Sequence, residues 1–228
     1  MTKVSRWLVI LLGATITRYP AHAFFDDFLG DHLNDNWVYG SHAEFHVADS
    51  NFTVTKVTPF NGEGWTADFY STTGYGFDYY YEDFSARVNV TFTPGSQVFL
   101  FTLGTYSNGY GAIQLQLWGY PDVRYLSFGV GGGTDATLSL EPGGTHELRI
   151  DRVDGVLSAF LDGDLFVTHS GQVFGYQDKV TLSYAGAFEN APFNVDYVSV
   201  EAVPEPPAVF SLGVLLPLLW VLRPITRR

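Results

Sequence analysis

Carboxylates, histidines and aromatic rings are the residues of this 228-residue chain whose spacing invites a chemical reading. Two carboxyls about 5 Å apart cleave a glycosidic bond with retention, and on a β-strand alternate residues project to the same side. None of Glu44, Glu63, Glu82, Glu141, Glu147 and Glu189 is followed two places on by an aspartate, and the alternation from Gln114 through Gln116 to Trp118 carries amides and no acids. His42-Ala43-Glu44-Phe45-His46 departs from the helical zinc-protease pattern, where Glu directly follows the first His. On a strand its two histidines stand about 13 Å apart. No Gly-x-Ser-x-Gly elbow supports a serine nucleophile, and the absence of cysteine removes thiolate nucleophiles, disulfides and thiolate metal sites.

Aromatic residues are 17% of the chain. Tyr70, Tyr75, Phe77, Tyr79, Tyr80 and Tyr81 cluster around two glycines, and Tyr106, Asn108, Tyr110, Trp118 and Tyr120 form a second group near turn residues. Sugar rings stack their C–H faces on such side chains while their hydroxyls bond to Asn, Asp and Gln. Tyr75, Tyr79, Tyr81, Tyr106, Tyr110, Trp118 and Tyr120 are therefore the candidate carbohydrate contacts, although strands also use aromatic rings to fill the space between sheets. Between Phe24 and Ala202 six Lys and Arg stand against 23 Asp and Glu, a net charge of −17. Nucleic acid is excluded as a partner on that ground, since a phosphate backbone needs a positive surface. Hard cations such as calcium, held by carboxylate and carbonyl oxygens, suit the same surplus.

The two ends read as addresses. Lys3 and Arg6 precede the apolar run Trp7 to Ile16, and Ala21-His22-Ala23 offers small residues at the positions signal peptidase reads, so residues 1–23 are expected to be a removable export signal. At the other end Pro204-Glu205-Pro206 leads into an uncharged segment, residues 208–222, closed by Arg223, Arg227 and Arg228. These three parts resemble the PEP-CTERM sorting signal of Gram-negative bacteria. The resemblance implies transient anchoring in the inner membrane, cleavage by an exosortase, and release to the cell surface or biofilm matrix. Fifteen residues at about 1.5 Å each fall short of a hydrocarbon core of about 30 Å, and Pro217 weakens that helix further, which suits a temporary anchor.

Residues 24–202 must then position whatever site there is, and they read as one all-β domain. Ala86, Val88, Val90 and Phe92 alternate with polar residues, as do Ile113, Leu115 and Leu117. His146 to Arg152, Val156 to Leu161 and Asp164 to Thr168 form a meander turned at Asp154-Gly155 and Asp162-Gly163, pairs that supply the positive φ angles of tight hairpins. Gly129 to Gly133 reads as a loop between strands; a phosphate cradle would need a helix after it, and Thr137 to Leu140 is strand-like. Many short strands without helical periods between them imply a sandwich or a barrel.

Asp26-Asp27-Phe28 with Leu33-Asn34-Asp35-Asn36-Trp37, then His146 to Gly163, then Phe193-Asn194-Val195-Asp196-Tyr197-Val198-Ser199-Val200, resemble the opening, late meander and last strand of concanavalin A-like (LamG-like) lectin and glucanase domains. The resemblance implies a jelly-roll β-sandwich whose concave sheet takes sugar chains. It also implies a structural Ca2+ at Asp196, completed by main-chain oxygens. Laminarinase-type members carry Glu-x-Asp-x-x-Glu on one strand, which this chain lacks. The expectation is accordingly an exported protein, not an enzyme, that binds or organises extracellular polysaccharide. The alternatives are a divergent glycan hydrolase or lyase, with carboxylates such as Asp68 or Asp78 with Glu82 from separate strands, or a purely structural matrix protein.

Overall fold

The computed structural model describes residues 24–39, 43–57, 66–71, 83–93, 98–104, 113–120, 123–131, 133–141, 143–171, 179–185 and 192–203. The expected export and sorting segments, with Ala21, Ala23, Pro204, Glu205, Pro206, Arg223, Arg227 and Arg228, lie outside them. The described residues form strands and no helix, so none of their elements is a helix long and apolar enough to cross a membrane.

Two antiparallel sheets face each other. In the first, β13 (Asp164–His169), β12 (Val156–Leu161), β11 (Gly144–Val153), β6 (Phe84–Phe92), β15 (Phe193–Ala202), β4 (Asn51–Val57) and β3 (Ala43–Ala48) lie side by side, and β1 (Phe24–Asp26) also pairs with β15. In the second the order is β10 (Ala136–Ser139), β9 (Val123–Val130), β8 (Ile113–Tyr120), β7 (Val98–Leu103), β14 (Val180–Ala185), β5 (Thr66–Ser71) and β2 (Trp37–Tyr39). β6 sits between β11 and β15, and β14 between β7 and β5, so late strands pair with early ones. This is the jelly-roll sandwich expected from the sequence.

Alternation decides which side chains meet between the sheets. Along β6 every second residue from Phe84 to Phe92 is buried, and in β8 Ile113, Leu115 and Leu117 are fully buried. Phe52, Phe69, Phe99, Tyr184 and Phe193 fill the middle, their neighbouring ring centroids 4.8–6.1 Å apart. The meander is as expected: φ is 51° at Asp154 and 78° at Gly155, and 53° at Asp162 and 87° at Gly163. Gly129 differs from expectation, lying inside β9 opposite Gln114 rather than in a loop.

A buried carboxylate joins the sheets at one end. Asp26 on β1 accepts hydrogen bonds from the Phe28 amide at 2.8 Å, Asn34 Nδ2 at 2.7 Å and, across to β2, Trp37 Nε1 at 2.6 Å. Phe28 takes φ of 51° there and stacks its ring on Trp37 and Phe52.

Candidate functional site

The outer face of the second sheet collects side chains from five strands. Because Ile113, Leu115 and Leu117 face the core, Gln114, Gln116 and Trp118 face outward. The register sets Gln114 opposite Thr102, which faces Thr181 in turn, and sets Gln116 in a row with Leu100, Ser183 and Asp68. On the other side Gln116 meets Ser127 and Trp118 meets Tyr125.

Thr102, Gln114, Ser127 and Thr181 belong to this outward face and are nevertheless 3–6% exposed, so the sheet is a floor rather than an open surface. Gln116 Nε2 donates to Gln114 Oε1 at 2.9 Å, which fixes both amides. The Thr181 hydroxyl is buried with no hydrogen-bond partner among the described residues. Trp118 and Tyr125 stack with centroids 5.4 Å apart and planes at 25°. At Gly129 the floor meets a wall, since a Cβ there would fall on the Gly133 carbonyl oxygen. Gly133 is turned back by its amide bond to Val130 O at 3.2 Å, and Asp135 by its bond to Phe128 O at 2.8 Å.

Among the described residues Asp68 is the one carboxylate that the strands of this face carry outward, opposite Ser183 and next to buried Phe69. Three strand spacings separate it from Gln116, about 14 Å. Amides, hydroxyls and a stacked ring pair suit an uncharged, hydroxyl-rich ligand.

The calcium candidate lies elsewhere, at a seam in the first sheet. β4 leaves β15 at Val195 and β1 joins it at Val198, and between them a bulge sets Val195 opposite Val90 but Tyr197 opposite Asn89. Asp196 is the extra residue, re-aimed by that bulge. It lines an open depression of about 430 Å³ with Phe25, Asp27, Asp49, Ser50, Asn51 and Tyr197. Asp49 and Ser50 bring the β3–β4 turn to it with φ of 52° and 61°. Burial pushes the Asp196 carboxyl above the usual carboxylate range. No three Asp, Glu or His side chains among the described residues come close enough to hold a metal alone. A hard cation here would take carboxylate oxygens together with main-chain ones.

Further along the outer face of the first sheet Arg149 and Glu147 have partners. Arg149 lies 3.9 Å over the Phe160 ring and 3.2 Å from Asp151. Tyr197 donates to Glu147 Oε2 at 2.6 Å; burial first, then this bond and the Glu147 charge, push its phenol up to about 12.

Of the candidate sugar contacts the structure places Trp118 on the outward face. Tyr120 ends β8, its side chain outside the described residues, as are Tyr75, Tyr79, Tyr81, Tyr106 and Tyr110 entirely. Of the alternative acids Asp68 is on this face, while Asp78 and Glu82 lie outside the described residues. His46 is exposed on β3 and His42 is outside the described residues. Tyr125, Thr102, Thr181 and Ser127 were not singled out by sequence reading, nor were Asp27 and Asp49. Tyr125 had a signal: Pro121-Asp122 between two apolar runs marks a hairpin that would bring it back beside Trp118.

No protein-family model matches the chain, and no curated protein matches it either. Solved structures do. A β-glucanase of Bacillus licheniformis superposes with a TM-score of 0.56 at 12% identity, over 79% of this chain and 98% of that one. A glycosyl hydrolase family protein from Mycobacterium fortuitum gives 0.57 at 17% identity, over 78% and 99%. The lectin UEA-II, solved with galactose, gives 0.56 at 11% identity, over 80% and 99%. At these identities the likeness establishes the fold: a concanavalin A-like jelly roll.

The expectation that the chain is not an enzyme is corrected by these neighbours. The fold it shares over four fifths of its length is that of a β-glucanase, a lichenase and a glycosyl hydrolase as well as a lectin. A missing acid motif on one strand excludes little in such a fold, because the outward face gathers side chains from strands far apart in sequence, as Asp68 and Gln116 demonstrate.

Proposed function

We propose that the protein engages extracellular polysaccharide on the outer face of the second sheet and acts on it as a divergent glycan hydrolase. The observation that carries this reading is the composition of that face: a buried floor of Thr102, Gln114, Ser127 and Thr181, the stacked Trp118–Tyr125 pair on one side, and the Asp68 carboxylate on the far side, three strands from Gln116. Sugar hydroxyls bond to the half-buried Gln116 amide above that floor, and pyranose C–H faces rest on the half-buried rings of Trp118 and Tyr125. Asp68 is proposed as one of the two carboxyls that glycosidic cleavage requires, with Glu82 as its partner. Fold neighbours that are glucanases, a lichenase and a transglycosylase support the reading at the level of the fold.

The same proposal has the domain working outside the cell. Residues 1–23 direct export, residues 208–222 hold the chain briefly in the inner membrane, and exosortase cleavage near Pro204-Glu205-Pro206 releases it. Support comes from the basic flank, apolar core and Ala21-His22-Ala23 exit of the leader, and from the Pro-Glu-Pro, apolar and arginine parts of the tail. A structural calcium at the Asp196 seam would take the Asp196 carboxylate together with main-chain oxygens and tie β15 to the neighbouring β3–β4 turn.

The test is to incubate residues 24–202 with neutral polysaccharides, following binding by the change in Trp fluorescence and chain length by chromatography. Binding with shortening of one or more glucans is expected. Unchanged chains and no binding across neutral and acidic polysaccharides would contradict the proposal.

A further inference from the structure

One end of the sandwich carries both points at which the chain leaves it. β1 begins there, with Phe24 opposite Val200, and β15 stops there, with Ala202 opposite Phe84. β11 turns into β12 at the same end, Arg152 pairing with Phe84 on one side and Leu157 on the other. Asp83 clasps these parts together. Its carbonyl accepts from the Val203 amide at 2.9 Å, and its carboxylate accepts from the Asp154 amide at 3.0 Å and from Arg152 Nη1 at 3.5 Å. Val203 is thereby held beside the turn that Val153 and Val156 flank.

Those three valines are 36%, 47% and 38% exposed and surround an internally paired Asp83–Arg152, with the exposed Asp154-Gly155 turn between two of them. Their occupant follows from the chain that leaves here. Four residues, Pro204 to Pro207, separate Val203 from the uncharged segment that begins at Ala208. Five Cα-to-Cα steps span at most about 18 Å. Half the difference between a bilayer and its hydrocarbon core is only about 5–8 Å, so a tail that has entered the hydrocarbon leaves little room between this end and the lipid headgroups.

We propose that, while residues 204–228 remain attached, this end of the sandwich lies on the bilayer, with Val153, Val156 and Val203 against the headgroup boundary. The second sheet's outer face then stands across the membrane surface rather than against it. The inference rests on the reading of residues 208–222 as a membrane segment, and it adds the surface that the bilayer covers.

The chain has no cysteine, so a single Val153→Cys, Val156→Cys or Leu165→Cys carries a unique environment-sensitive fluorophore. Leu165 is 59% exposed and pairs with Phe160, about 13 Å along the strand from Val156. Chains of residues 24–228 are inserted into phosphatidylethanolamine–phosphatidylcholine vesicles containing a nitroxide-labelled lipid. Emission from positions 153 and 156 is expected to shift to the blue and to be quenched several-fold more than from position 165, and to lose both effects in chains ending at Val203. Vesicle-bound full-length chains whose labels at 153 and 156 stay as water-exposed as the label at 165 would overturn the orientation alone. A full-length chain that does not float with the vesicles would overturn the membrane reading of residues 208–222 and the orientation with it.

Discussion

Trp37 Nε1 donates to the Asp26 carboxylate at 2.6 Å, a bond that runs from the short strand β2 of one sheet to β1 of the other. With the Phe28 amide and Asn34 it gives a 5%-exposed carboxylate three donors, so the charge is stabilised where burial would otherwise oppose it. Replacing the carboxylate turns an acceptor toward a donor. Asp26→Asn is expected to cost about 2–3 kcal/mol, the range for hydrogen bonds to charged groups, and to lower Tm by about 5–10 °C. Thermal unfolding checks it, and an unchanged Tm would show that the two sheets do not depend on this contact.

Tyr197 and Glu147 predict a pH dependence of definite sign. The phenol is pushed up to about 12 by burial and by its bond to Glu147. A folded-state value above the unfolded value of about 10 contributes stability below pH 10 that is lost as pH rises toward 12. Tyr197→Phe is expected to lower stability by about 1 kcal/mol at pH 8, with the gap to the unsubstituted protein closing between pH 10 and 12. Denaturant unfolding at pH 8, 10 and 12 reads it; a constant gap would assign the loss to packing instead.

Asp196 gives the opposite outcome on substitution. Burial raises its carboxyl, so the folded state favours the protonated form, and that contribution is lost as pH rises through the folded-state value. At neutral pH the ionised group is a liability that a cation relieves. In chelator Asp196→Asn is expected to be at least as stable as the unsubstituted chain. Addition of 10 mM calcium is expected to stabilise only the latter, by about 1.4–2.7 kcal/mol if the site has the affinity of extracellular modules. Equal calcium responses in the two proteins would place the ion elsewhere.

How far the sequence foretold this molecule follows from which features are local. The Asp154-Gly155 and Asp162-Gly163 turns and the β6 and β8 alternations depend on neighbours in the chain, and the structure has them where residue type alone put them. The order of strands depends on pairings between distant segments, such as β6 with β15, and periodicity carries no trace of it. The bulge that re-aims Asp196 is of this kind, as is the meeting of Asp27 and Asp49 beside it. The outward polar floor was hidden for another reason: Thr102, Thr181 and Ser127 are ordinary strand residues until the register lines them up with Gln114 and Gln116. Gln114 and Gln116 were visible as an acid-free row, but whether carboxylates from separate strands meet depends on register, which that row does not carry.

Trp118 and Tyr125 form the apolar part of the proposed ligand surface. Trp118→Ala is expected to weaken polysaccharide binding about ten-fold, equivalent to about 1.4 kcal/mol, with the core untouched because the ring faces away from Leu117. Affinity electrophoresis against the bound glucan measures it, and unaltered retardation would move the binding surface off β8 and β9.

Asp68 is where the account is most exposed. The release of new reducing ends from neutral glucans by residues 24–202, compared with the same chain carrying Asp68→Asn, tests it most directly. Activity in the first and a fall of about a hundred-fold or more in the second, with glucan still bound by both, is the expected result. Equal release by the two, or none from a glucan that the unsubstituted domain binds, would contradict it.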